Sequence, residues 1–358
     1  MLHYKEEFPT GYTSPLKIKI AGNNQMEHMQ KVPELRVTVN SRCQRACFFC
    51  RPSGEAVNTS SGKELDTETV LQVAKICSRY GVSYIKLTGG DPALWDPLID
   101  CVLRLRNETK YYIEVISRHP QIANKAVQLA ASGIDTLNVS IDTLDPELHR
   151  KITGVNDLPQ ILEAIRTCIN SGLRCKVNMV VLRGINEHEI ENLIAYCEAA
   201  GVKVLKLLDL MTDIEDGGET FVQRMKLLGF DSLRALYAPL EGIAVNLRKR
   251  ASREKRFRQR GGLGNPMLAL TMQSGLEIIV KDHHFGAWYG SICRDCKHYP
   301  CSSALMALRL TADSRLQFCL FREDLCIDIK NMGAGELANT IDHALNIYRE
   351  ATFNRGPQ

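Results

Sequence analysis

Three cysteines, Cys43, Cys47 and Cys50, are separated by three and then two residues and come directly after the short apolar run 35–39. Thiolates are the soft ligands that iron-sulfur sites use. A loop with this spacing can hold three corners of a 4Fe-4S cluster and leave the fourth iron without a protein ligand. Zinc is the alternative, but zinc normally takes a fourth Cys or His close by, and after Cys50 no Cys follows before Cys77 and no His before His119. The spacing therefore favours an iron-sulfur cluster with one open position for chemistry.

A second group of cysteines lies near the carboxyl end of the chain. Two close thiols, a third nearby and a distant fourth favour a second metal centre, with a zinc-ribbon-like site as the alternative. The members are Cys293, Cys296, Cys301 and Cys319. Cys326 follows, and we predict a packing role for it. The scattered cysteines between the two groups sit among apolar residues and are predicted to be small buried hydrophobes.

The composition is that of an ordinary globular protein, with 44% hydrophobic and 24% charged residues in 358. The net charge of +4 does not favour nucleic-acid binding. Thirteen cysteines are an odd number in a long chain, and the amino terminus lacks a signal-peptide pattern. No apolar run has the length of a membrane span. A cytoplasmic protein without a disulfide framework is expected.

The elements that must position these cysteines alternate regularly from residue 35 onward. Short apolar runs predict strands at 35–39, 84–87, 112–116, 136–141, 176–182 and 202–208. Amphipathic segments between them, including 67–80, 120–131, 158–171 and 187–200, predict helices. Strand-helix units in series imply a parallel sheet, and six units are too few for the closed eight-stranded barrel. We therefore predict an α/β fold with a partial (β/α)6 barrel, whose active site lies at the carboxyl ends of the strands.

The alternation ends near residue 212, and the composition changes. Residues 248–260 hold eight Lys or Arg and one acid, a run typical of a solvated helix, although it could instead hold phosphate or an acidic partner. A turn-rich segment, a hairpin at 268–280 and a helix at 335–350 follow. The predicted organisation is an arm at 1–33, a partial barrel at 34–245 and a small α+β cluster domain at 246–358.

The first cysteine loop resembles that of the radical S-adenosylmethionine (SAM) superfamily. This resemblance implies that the open iron binds the amino and carboxylate groups of SAM and cleaves it reductively to a 5′-deoxyadenosyl radical. Gly89-Gly90-Asp91-Pro92 resembles the Gly-Gly-Glu-Pro motif of that superfamily, which meets the methionyl amine, with Asp91 replacing Glu. The positions that the resemblance assigns to SAM are Phe49, Gly89, Gly90, Asp91, Ser117, Ser140 and Asn178. For the polar members, the alternative is local hydrogen bonding within the barrel.

Further motifs resemble the GTP 3′,8-cyclase (MoaA) family of molybdenum-cofactor biosynthesis. They are residues 137–146, 151–154, 183–187, 308–313 and 319–321. The resemblance implies an auxiliary 4Fe-4S cluster with three protein ligands and an iron open to the purine of GTP. It also assigns substrate phosphate contacts to Arg36 and Arg309. No catalytic acid or base is assigned from the sequence.

Several departures from that family weaken the prediction of a triphosphate substrate. The cysteine pair is displaced upstream and Cys301 is additional, so four ligands could close the auxiliary cluster. Ala307 replaces an expected arginine, Trp95-Asp96 replaces a basic pair, and the chain lacks the family's Gly-Gly tail.

The prediction is therefore a MoaA-like radical enzyme acting on a small polar, nucleotide-like metabolite, with flavodoxin or ferredoxin as reductant and GTP cyclisation as a sub-case. A sugar, an aminocyclitol or a peptide side chain is an alternative substrate. An iron-sulfur electron carrier or redox sensor is the non-enzymatic alternative.

Overall fold

The computed structural model describes residues 31–50, 62–213, 225–257 and 262–354. The predicted alternation is confirmed within these ranges. Its strands are β1 (Glu34–Thr38), β2 (Tyr84–Thr88), β3 (Tyr112–Ser117), β4 (Thr136–Ser140), β5 (Cys175–Val180) and β6 (Val204–Leu208). The α-helices that accompany them are α1 (Thr67–Arg79), α2 (Leu98–Glu108), α3 (Ala126–Ser132), α4 (Pro146–Thr153), α5 (Leu158–Asn170) and α6 (Ile190–Ala200).

The carboxyl-terminal third adds further elements. The strands are β7 (Arg253–Phe257), β8 (Met267–Thr271), β9 (Glu277–Lys281), β10 (Ala287–Tyr289), β11 (Ala307–Leu310), β12 (Arg315–Gln317), β13 (Ile327–Asp328) and β14 (Thr352–Asn354). The helices are α7 (Glu241–Arg248) and α8 (Ala334–Arg349). The predicted hairpin at 268–280 is β8 and β9, and the predicted terminal helix is α8.

One twelve-stranded sheet organises the chain, in the order β13-β12-β11-β1-β2-β3-β4-β5-β6-β9-β8-β7. Strands β1 to β6 are parallel, and β9 and β11 extend the parallel part beside β6 and β1 respectively. The outermost strands of the order, β13 and β7, do not pair with each other in the described ranges. The predicted open α/β barrel is therefore confirmed, although the sheet is broader than six strand-helix units provide.

Segments on both sides of residue 246 share this sheet, because β9 pairs with β6 and β11 pairs with β1. The barrel and cluster-domain boundaries at 34–245 and 246–358 stay predictions. Residues 1–30 of the predicted arm lie outside the described residues.

Alternate residues of the strands face opposite sides of the sheet. Leu35, Val37, Ile85 and Leu87 are fully buried and belong to the main hydrophobic core, which also includes apolar residues of the helices. Their neighbours, such as Arg36 and Lys86, are register partners on the opposite, concave face. We call this concave face the lumen.

Two details of the fold differ from the sequence-based prediction. Two helices, α4 and α5, lie between β4 and β5 where one was predicted, although α4 begins with a clear cap, in which the Asp145 carboxylate accepts from the backbone N–H groups of Glu147 and Leu148. In its described part, 248–257, the basic run is not one solvated helix: α7 ends at Arg248, and Arg253–Phe257 is the edge strand β7, while residues 258–260 lie outside the described residues. Exposed basic residues are common on edge strands because they oppose pairing with other chains.

Candidate functional site

The cysteine loop follows β1 and is anchored by its own aromatic residues. Phe48 is fully buried in an apolar cluster with Ile152, Leu182 and Leu236. Phe49 is only partly buried and packs edge-to-face on Phe48, with ring centroids 5.2 Å apart. Phe48 therefore fixes the loop, while Phe49, the predicted SAM contact, lies at the margin of the apolar cluster.

Polar contacts fix the amino-terminal half of the loop to helices α4 and α5. Arg45 pairs with Asp157, which also contacts His149 Nε2 at 3.0 Å. The backbone N–H of Ala46 donates to the carbonyl oxygen of Thr153 at 2.9 Å. The Cys43–Cys50 segment is therefore held in place by the protein fold itself.

The glycines of the Gly-Gly turn pack directly on the backbone that leads into this loop. A Cβ on Gly89 would lie 2.7 Å from the carbonyl oxygen of Asn40, and one on Gly90 would overlap Arg42. The Gly90 N–H donates to the Asn40 carbonyl oxygen at 2.7 Å. The absence of side chains on Gly89 and Gly90 therefore lets the backbone that leads into the cysteine loop approach this turn closely.

Asp91 joins the turn to the end of β3. Its carboxylate accepts from Ser117 Oγ at 2.6 Å, from the Arg118 N–H at 2.8 Å and from the Ala93 N–H at 3.0 Å. Asp91 and Ser117, both predicted SAM contacts, are thus brought together but already bonded to each other.

Arg118, which sequence reasoning missed, connects β3 to the cysteine loop. Its Nη1 donates to Cys47 Sγ at 3.2 Å, and its Nη2 lies 2.8 Å from the Asp142 carboxylate. Burial raises the pKa of Cys43 to about 11, while the charges of Arg118 and Arg45 oppose the rise. The available sequence signal was an arginine directly after Ser117, at the predicted end of a strand.

Ser140 and Asn178 are register partners at the carboxyl ends of β4 and β5. The Oδ1 atom of Asn178 is buried and accepts no hydrogen bond from the described residues. Buried polar atoms are normally paired, so this oxygen fits a polar ligand. It is the clearest support in the described residues for the predicted SAM-binding positions.

Charged side chains also line the lumen, and one of them, Lys206, is the register partner of Asn178. Lys86 pairs with Glu34 at 2.8 Å, and Lys176 pairs with Glu114 at 2.9 Å. The basic members outnumber the acidic ones. They are Arg36, Lys86, Lys176, Lys206, Lys281 and Arg309, against Glu34, Glu114 and Glu277.

Lys206 is the basic residue of the lumen with the least favourable environment. Burial and the nearby charges of Lys176, Lys86 and Lys281 hold its pKa well below the ordinary value. Within the described ranges, no acidic side chain forms an ion pair with it. An anion bound beside Lys206 would stabilise its charged form.

The positions that the resemblance matched to substrate-binding basic residues lie in different environments. Arg36 and Arg309 are register partners on β1 and β11 and both face the lumen. Trp95 is fully buried, and its Nε1 donates to the Leu65 carbonyl oxygen at 3.0 Å. Trp95 is therefore a core residue rather than a replacement for a substrate contact.

Four cysteines of the carboxyl-terminal group lie near one another. Cys293 and Cys296 both lie within electrostatic range of Cys319, as does Cys301. Burial raises the pKa of Cys301 to about 12. The charged neighbours of Cys326 are instead Arg315, Glu323, Asp313 and Asp324.

A hydrogen-bonded group of histidines and acids lies beyond the ends of β6 and β9. His283 Nδ1 contacts Asp209 Oδ2 at 2.5 Å, and Tyr237 donates to Asp282 Oδ1 at 3.1 Å. His284 Nδ1 lies 3.0 Å from the same Asp282 oxygen. These contacts satisfy the carboxylates internally, so the group resembles a structural network more than an empty cation site.

The chain matches the profile of the radical SAM superfamily over residues 37–197. This match and the relatives below confirm the prediction of a radical SAM enzyme. Radical SAM enzymes use a 4Fe-4S cluster and SAM. The three-cysteine loop, with Arg118 donating to Cys47, fits the cluster. The buried Oδ1 atom of Asn178 fits a polar group of SAM.

Within the superfamily the chain is MoaA-like. It is 29% identical over 327 residues to a "Probable GTP 3′,8-cyclase" of Sulfurisphaera tokodaii, covering 90% of this chain and 91% of the relative. A protein of the same name from Pyrococcus abyssi is 28% identical over 330 residues, covering 91% and 96%.

A solved structure, that of Streptococcus suis SuiB, has a similar fold. It aligns with a TM-score of 0.57 at 12% identity, covering 94% of this chain and 73% of SuiB. At this identity the likeness concerns the fold alone. In the described part of the chain, no helix has the length and hydrophobicity needed to cross a bilayer.

Proposed function

We propose that this radical SAM enzyme abstracts hydrogen from an anionic, nucleotide-like metabolite bound in the lumen of the barrel. The excess of basic over acidic side chains on the lumen face carries the proposal, and Lys206 is its central residue. Buried cations are costly unless they are paired, so a lumen of this charge favours an anionic ligand.

A purine nucleotide is the first candidate for that ligand. The relatives from Sulfurisphaera tokodaii and Pyrococcus abyssi carry the name GTP 3′,8-cyclase. Arg36 and Arg309 face the same lumen as Lys206, which offsets the argument from Ala307 and Trp95 against a phosphorylated substrate. A peptide substrate has only the fold of SuiB in its favour.

The residues around the first cluster have separate tasks in this proposal. When bound to the cluster, SAM supplies the 5′-deoxyadenosyl radical that takes the hydrogen atom. Cys43, Cys47 and Cys50 hold the cluster, while Gly89 and Gly90 allow the loop to approach β2. Asn178 and Ser140 offer polar contacts to SAM at the strand ends. The lumen lysines orient the substrate and hold its charge away from water.

The auxiliary site is proposed to hold a second 4Fe-4S cluster through Cys293, Cys296, Cys301 and Cys319. Four protein ligands leave no open iron for a substrate base, so this cluster would move an electron from the product radical. The cysteine content fits a reducing compartment, and we propose a cytoplasmic enzyme supplied by flavodoxin or ferredoxin.

The test is anaerobic reconstitution of the full chain with iron and sulfide, followed by incubation with SAM, dithionite and GTP, GMP or guanosine. We expect substrate-dependent formation of 5′-deoxyadenosine with a phosphorylated nucleoside and much less with guanosine. Formation that is independent of phosphate would overturn the anionic-substrate proposal. A reconstituted protein that cleaves no SAM would contradict the enzyme assignment itself.

A further inference from the structure

Arg118 is held at three points beside the first cysteine loop. Its backbone N–H donates to Asp91, its Nη2 pairs with Asp142 at 2.8 Å, and its Nη1 donates to Cys47 Sγ at 3.2 Å. The side chain is only 14% exposed, and that of Asp142 is 2% exposed. A guanidinium fixed in this way has little freedom to point elsewhere.

The other charges around the loop do not duplicate this contact. Asp91 and Asp142 are the nearby carboxylates, and Arg45 is the second nearby cation. Arg45 is bonded to Asp157, on the side of α5. Arg118 is within electrostatic range of Cys43, Cys47 and Cys50 alike.

We propose that Arg118 is a positioning residue that sets the reduction potential of the cluster on Cys43, Cys47 and Cys50. One electron passes from the reductant to the cluster, whose negative charge increases by one, and no proton is transferred. A hydrogen bond to a ligating sulfur and a nearby positive charge both favour the more negative, reduced form. Asp142 keeps the guanidinium directed at Cys47 and offsets part of its charge.

Potentiometric titration monitored by EPR, on reconstituted full-length protein without SAM, tests this inference. Arg118→Gln removes the charge, and we expect reduction of the first cluster to become at least tenfold less favourable, a shift of about 59 mV to lower potential for a one-electron couple. Arg118→Lys keeps the charge and should recover at least half of that shift.

Arg106→Gln is the matched control. Arg106 is also partly buried and pairs with an acid, Asp135, at 2.6 Å, but it contacts the helix side of the sheet. It should leave the potential unchanged, and iron content reports whether each variant retains its clusters. If Arg118→Gln fails to fold, the potential of Arg118→Lys still tests the proposal.

An unchanged potential in Arg118 variants that retain their iron would overturn the proposal. A loss of SAM affinity with an unchanged potential would do the same, because it would assign Arg118 to the carboxylate of SAM. Equal shifts in the Arg106 and Arg118 variants would show a general structural effect and would also contradict it.

Discussion

Gly90 lies so close to the backbone of Arg42 that a methyl group on it would overlap the Arg42 carbonyl oxygen. The contact joins the turn after β2 to the residue immediately before Cys43. Separating the two backbone segments would cost free energy, because the Gly90 N–H also donates a hydrogen bond to the Asn40 carbonyl oxygen. The Gly-Gly turn therefore constrains the position of the cysteine loop.

Gly90→Ala should displace the loop and reduce incorporation of the first cluster by more than half. Overlap with backbone leaves strain of about 1 to 3 kcal/mol or a shifted loop. Iron content after anaerobic reconstitution and the melting temperature measure the two effects. Gly242→Ala is the control, because Gly242 lies in α7 with nothing within 4 Å of an added Cβ. Equal cluster content in both variants would contradict this account.

Lys206→Met should stabilise the ligand-free chain and weaken binding of an anionic substrate. Methionine fills similar space without a partly buried ammonium group, so a gain of about 1 kcal/mol in the free energy of unfolding is expected. Binding of GTP, measured by calorimetry, should weaken about tenfold or more. Lys203→Met is the control because Lys203 is exposed. If both variants bind alike, Lys206 does not contact the anion.

Cys301→Ser should remove the auxiliary cluster, whereas Cys326→Ser should leave it intact. Cys301 lies near Cys319, but the charged neighbours of Cys326 are arginine and acidic side chains. Iron content and EPR spectra of the reduced proteins distinguish one cluster from two. If the Cys326 variant lost the cluster and the Cys301 variant retained it, Cys326 would be the ligand and Cys301 would not.

Glu277 should make stability depend on pH between about 5 and 8. Burial raises its pKa from 4.5 to about 7, and its Oε1 has no hydrogen-bond partner among the described residues. The folded chain therefore holds a proton that the unfolded chain releases at lower pH. This stabilisation is complete below about 4.5 and is lost as the pH rises through about 7.

Glu277→Gln should remove that dependence, so that the variant gains about 1 to 3 kcal/mol relative to the natural chain between pH 5 and 8. Urea unfolding under anaerobic conditions at both pH values measures the difference. Glu336→Gln, at an exposed position at the start of α8, is the control. A Glu277 variant with the same pH dependence as the natural chain would contradict the raised pKa.

Local spacing made the strands, several helices and the two cysteine groups predictable. Cys43, Cys47 and Cys50 are close in sequence, and the alternation of apolar runs needs no tertiary information. Arg118 and Lys206 could not be assigned in the same way, because their partners lie on other strands and are set by sheet register. The separation of Cys326 from Cys319, only a few residues away, likewise depends on how the chain turns after β12. The glycines were recognised, but their packing partner was visible only in three dimensions.

Strand β1 pairs with β11 as well as with β2, in a register that joins Glu34 to Ala307 and Val37 to Leu310. During synthesis, β1 emerges long before its second partner. Until β11 arrives, the outer edge of β1 presents unpaired backbone groups that can template association with other chains. Long-range pairing of this kind also slows folding. A chain terminated before residue 307 would thus leave the strand that precedes the first cysteine loop with an aggregation-prone edge.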